Sequence, residues 1–129
     1  MWKFTLAAAL ALSVAGCQSP GGFTRVIPAS TPRQIDFFTA LNEDCTSRGA
    51  TVVRVLQAPE HGKLEVRNAP DYPRYSKTNP RNVCNKNKVE GAQIWYVPNP
   101  GYVGADRARV SVIFATGLAW NQSFELDVR

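Results

Sequence analysis

From Arg107 to Phe114 the chain alternates without a break. Ala108, Val110, Val112 and Phe114 fall on one face, and Arg107, Arg109, Ser111 and Ile113 on the other. A period of two marks a strand with one face on a core and one toward water, as in antiparallel sheets. The same reading places five further strands. Ile35–Leu41 is apolar and reads as a first strand, although a short helix fits its pattern nearly as well. Thr51–Leu56 is rich in β-branched residues and ends at a Pro59/Gly62 turn. Lys63–Arg67 follows with Leu64 and Val66 inward, so the two segments are expected to form a hairpin. In Gln93–Val97, Ile94 and Tyr96 share one face and Trp95 takes the other. After a turn at Gly117, Ser123–Val128 closes the chain with Phe124, Leu126 and Val128 inward. Short strands, Gly/Pro/Asn turns and little amphipathic helix predict an all-β fold, an antiparallel β-sandwich of about seven strands.

The turn before the long strand carries further information. Pro98 and Pro100 fix φ, and Gly101 and Gly104 permit backbone angles that other residues resist. Tyr96-x-Pro98-x-Pro100-Gly101-Tyr102-x-Gly104-x-Asp106 resembles a signature of bacterial Ig-like and cadherin-like domains. Upstream, Pro59-Glu60-His61-Gly62-Lys63-Leu64 is similar to the P-x-H-G-x-L/V turn of the same families. The resemblance covers residues 51–129 and implies an Ig-like sandwich in an extracytoplasmic protein, with no catalytic activity. Where those families continue with alternating aromatics, this chain has Ala108 and Val110, so its core is filled differently.

At the other end, Met1-Trp2-Lys3 precedes an apolar segment from Phe4 to Ala15 and the small residues Ser13-Val14-Ala15-Gly16 before Cys17. A basic start, a short apolar run and a small-residue cleavage site read as a signal peptide. Leu12–Cys17 resembles a bacterial lipobox, which implies cleavage after residue 16 and acylation of Cys17. Two or three acyl chains anchor a protein stably to a membrane. Gln18, where an Asp commonly signals inner-membrane retention, implies an outer-membrane lipoprotein facing the periplasm or the cell surface. Residues 17–33, with Pro20, Gly21, Gly22, Pro28 and Pro32, are expected to be a tether, leaving 34–129 as the domain.

With Cys17 assigned to lipid, Cys45 and Cys84 remain as a pair in an oxidising compartment. Their disulfide would contribute roughly 4 kcal/mol by loop closure and tie the start of the domain to its long central loop. There is no C-x-x-C, His61 is the one histidine, and no cofactor or metal is expected. The net charge of +5 falls to +4 once Lys3 leaves with the signal, which favours anionic partners. No nucleic-acid motif is present. An anionic glycan, lipopolysaccharide or an acidic envelope protein suits the address.

The surface singled out for binding is Asp71–Lys88, where Arg74, Lys77, Arg81, Lys86 and Lys88 are interleaved with Tyr72 and Tyr75. Aromatic rings stack while Arg and Lys bond oxygens, so the combination suits anionic sugars or phosphates. Trp95, outward on its strand, is the second candidate, either as a contact residue or packed under Arg107 or Arg109. Trp120 fits either a loop-tip contact or a lid on the core. His61 and Asp106 are expected to serve their turns, Asp106 through its carboxylate. The chain is thus expected to be a non-enzymatic binding or scaffolding module of the cell envelope. An inhibitor or accessory subunit inserting the 72–88 loop into a partner, and a small envelope hydrolase using His61, are the alternatives.

Overall fold

The structure, a computed structural model, describes residues 23–129. Cys17, the signal segment and the start of the tether lie outside the described residues. The fold is a β-sandwich of seven strands: β1 (Thr24–Ile27), β2 (Arg33–Phe38), β3 (Thr51–Gln57), β4 (Gly62–Asn68), β5 (Ala92–Pro98), β6 (Gly104–Phe114) and β7 (Ala119–Val128). One sheet has the order β1-β7-β6-β3 and the other β2-β5-β4. Alternation along β5, β6 and β7 sends Ile94, Tyr96, Val110, Val112, Phe124, Leu126 and Val128 into one core between the sheets. These are the inward faces read from the sequence.

Three expectations are corrected. Residues 24–27, assigned to the tether, form β1, which pairs in parallel with β7 (Thr24↔Glu125 to Ile27↔Val128), so the sandwich is not wholly antiparallel. Ile27 is buried against the core. The four residues of β1 are too few to show a period, and what makes them a strand is the open edge of β7. Second, β3 and β4 are not a hairpin. β3 pairs with β6 and β4 with β5, so the turn at Pro59–Gly62 crosses from one sheet to the other. The hydrophobic pattern fixed which residues face inward but was silent on which partner each strand takes. Third, Val66 lies opposite Ile94 on the core side, yet it is 39% exposed. β3 and β4 are both edge strands, and the sandwich is open along that side.

The turn at residues 98–104 behaves as its residues require. Gly101 and Gly104 have φ of 78° and 137°, in the region that favours glycine. The expected loop between β4 and β5 has structure of its own: a 3-10 helix at Pro80–Lys86. Cys84 within it is buried and bonded to Cys45, with Cα atoms 5.4 Å apart.

Candidate functional site

The β4–β5 loop is built as a rigid platform. Its base is closed by two backbone bonds between Asp71 and Val89, at 3.1 and 2.9 Å. Pro80 opens the 3-10 helix, where proline costs no hydrogen bond, and Asn79 caps it by accepting from the Arg81 amide at 2.9 Å. Asn85 Oδ1 accepts from the Tyr75 amide at 2.9 Å. The Tyr75 carbonyl in turn accepts from Asn82 Nδ2 at 3.0 Å and Asn85 Nδ2 at 2.9 Å. Both backbone groups of Tyr75 are therefore held by side chains of a helix that the disulfide fixes. The pattern Tyr-x₆-Asn-x₂-Asn is visible in the sequence only once the helix is known.

Tyr75 and its neighbour Arg74 line a cleft of about 240 Å³ with Phe37, Phe38, Thr39 and Trp120. A continuation of about 200 Å³ shares Thr39, Tyr75, Phe114 and Trp120 and adds Arg48, Arg81 and Leu118. Trp120 lines both. In register opposite Val112, it stands on the core side of β7 where the sheets part. Its ring lies 4.7 Å from Phe114 and, edge-on, 6.4 Å from Phe38. It is 44% exposed, and its indole N–H has no hydrogen-bond partner among the described residues. Trp120 thus packs as a lid on this end of the core while leaving part of its ring exposed to the cleft.

Arg74 and Arg48 have no ion-pair partner among the described residues. Arg81 lines the cleft but donates its Nε to the Leu41 carbonyl at 2.6 Å, which ties the loop to the chain before β3. Asp36 lines the floor beside Arg74. Burial holds its carboxyl above the usual carboxylate range, against the opposing pull of the Phe37 amide, Arg25 and Arg74.

The other residues proposed from the sequence are dispersed. Tyr72 is exposed at the loop base with Lys88 Nζ 5.7 Å from its ring. Lys77 and Lys86 are exposed and line neither part of the cleft. Trp95 lies on the outer face of β5, as expected, but is covered by Arg67, whose Cζ is 4.2 Å from the ring, and donates its N–H to Gln93 at 2.8 Å. Arg107 and Arg109 belong to the other sheet and cannot reach it. Arg67 does, because it sits in register with Gln93, diagonal to Trp95 on the adjacent strand.

At the opposite end of β6 the polar groups are committed. Asp106, 6% exposed, accepts from the amides of Glu60 (3.0 Å), His61 (3.1 Å) and Arg107 (2.9 Å) and from the Tyr96 hydroxyl (2.6 Å). Burial, reinforced by this bond and by the Asp106 charge, holds the Tyr96 phenol well above its ordinary value. His61 stacks on Tyr102 with ring centroids 3.9 Å apart. Both residues hold the sheet-crossing turn, as their motif implied. Among the described residues no group of three or more His, Cys, Asp or Glu side chains is placed to hold a metal ion, and no helix is long and apolar enough to cross a membrane. No protein-family model, no curated protein and no solved structure matches this chain.

Proposed function

We propose that the protein is a non-enzymatic, lipid-anchored module of the cell envelope whose Ig-like sandwich binds an anionic glycan in the Trp120 cleft. The observation that carries the reading is the pairing of a half-exposed indole with an unpaired guanidinium on a braced loop. Trp120 and Tyr75 offer apolar ring faces to the C–H face of a sugar, and Arg74 offers planar N–H donors to its acidic group. The Asn bonds and the disulfide reduce the ordering cost of binding, since the loop is arranged before the ligand arrives. The lipobox at Leu12–Cys17 supports the membrane anchor, and a tether from Cys17 would hold the sandwich within reach of wall or surface polymer.

The test is co-sedimentation of the protein with purified cell-wall sacculi and with outer-membrane vesicles at low and high salt. Salt-sensitive binding that falls at least about tenfold in Trp120→Ala and in Arg74→Ser is expected. Binding unchanged in both variants would remove the cleft as the site. No binding to either material would point instead to a protein partner.

A further inference from the structure

Arg74 also belongs to a second depression, of about 270 Å³, on the side of the sandwich where the edge strands β1 and β2 meet. Three arginines from three separate segments converge there: Arg25 on β1, Arg33 at the start of β2, and Arg74 on the β4–β5 loop, with Gln34 between them. Among the described residues no carboxylate lines this depression.

Arg25 is the fixed member. Its Nε donates to the Ile35 carbonyl at 2.7 Å, its Nη2 to Asp36 at 3.3 Å, and its Cζ sits 5.0 Å from the Phe124 ring. Five N–H donors on a guanidinium leave it capacity beyond these bonds. Arg33 and Arg74 have neither a hydrogen bond from their guanidinium groups nor an ion pair among the described residues. The two carboxylates nearby are already engaged. Asp36 pairs with Arg25, and Asp71 accepts from Gln34 Nε2 at 2.6 Å and from the Tyr72 amide at 2.7 Å.

Gathering like charges around one hollow costs free energy that Asp36 and Asp71, set outside its lining, offset only in part. We infer that the hollow is an oxyanion site for a phosphate or sulfate group carried by the glycan that the Trp120 cleft holds. Three guanidinium groups on separate strands and loop suit a tetrahedral anion, which offers oxygens in three directions, better than a flat carboxylate with two. Arg74 lines both hollows, so one chain would lie with a sugar on Trp120 and its charged ester between Arg74, Arg25 and Arg33. The assignment of the ester to a glycan rests on the proposed function; the oxyanion chemistry rests on the arginines alone.

The test is NMR of arginine Nε–H groups in the full chain, held in an uncharged detergent and titrated with sodium phosphate, sulfate or acetate at constant ionic strength. Saturable shifts of Arg25 and Arg74 with phosphate or sulfate are expected, with affinity for acetate lower by about tenfold, and the tighter of the two tetrahedral ions names the ester. Arg33→Gln and Arg74→Gln should each weaken this binding about tenfold, while Arg109→Gln, on the outer face of β6 and not among the residues lining the hollow, leaves it unchanged. Equal affinity for acetate, or an equal loss in Arg109→Gln, would reduce the site to a general positive surface and overturn the inference. In Trp120→Ala, phosphate binding that persists while sacculus binding is lost supports both hollows. Phosphate binding in a protein that never binds glycan upholds the oxyanion site and removes the sugar reading. Trp120-dependent glycan binding without phosphate binding does the reverse.

Discussion

The two ends of β6 use polar chemistry in opposite ways. At the Asp106 end, one buried carboxylate collects four donors, and the one histidine is stacked against Tyr102. That carboxylate is fully engaged within the turn, although a hollow of about 380 Å³ lined by Glu60, His61 and Arg107 lies beside it. At the Phe114 end, an indole N–H and the guanidinium groups of Arg48 and Arg74 have no partner among the described residues, around an open cleft. Satisfied polar groups stabilise a fold, and unsatisfied groups on a rigid frame are available for recognition. The end carrying the most recognisable motif is therefore the one whose buried carboxylate is satisfied internally, and the proposed binding surface lies at the end with no motif.

Asp106→Ala should show the largest effect on that contrast. It leaves the buried Tyr96 hydroxyl with only the His61 carbonyl at 3.4 Å and the Glu60 and His61 amides without an acceptor, and should cost about 4 kcal/mol in urea unfolding. Trp120→Ala, half-exposed, should cost only about 1.5 kcal/mol while abolishing glycan binding. Equal losses of stability in the two variants would make Trp120 a core residue and end the division between the two ends.

The disulfide comes next. Cys45→Ala with Cys84→Ala should destabilise the protein by about 4 kcal/mol, since it frees a loop closed over a sequence separation of 39. Because the loop carries Tyr75 and Arg74, binding should weaken in the same variant even under conditions where it is folded. Denaturant titration and co-sedimentation with and without reductant measure both. Unchanged binding in the folded double variant would show that the asparagine bonds alone position Tyr75.

The smallest effect expected is the pH response of Asp36. Its carboxyl titrates above the usual range because of burial, so the stability it contributes is complete below its unfolded pKa and lost as pH rises through its folded one. Stability of the protein relative to Asp36→Asn should therefore fall with rising pH across the weakly acidic range, measured by urea titrations at several pH values. A difference that grows with pH would mean that pairing with Arg25 outweighs desolvation.

Much of the frame was legible from residue type and spacing. The inward faces of β5, β6 and β7 and the outward position of Trp95 follow from rules that act over a few residues, and the Cys45–Cys84 pair from counting the cysteines left once Cys17 is assigned to lipid. Of the residues singled out in the 71–88 loop, Arg74, Tyr75 and Arg81 line the cleft. Lys77, Lys86, Lys88 and Tyr72 do not, because a charge count along a loop cannot tell which side of it meets the sheets. The parallel pairing of β1, the crossing of β3 and β4 into different sheets, and the placing of Trp120 beside Arg74 were decided by the tertiary structure. Each depends on contacts between segments far apart in the chain. Periodicity reports the face a side chain takes on its own strand, while partners and clefts follow from how the completed sheets close on one another.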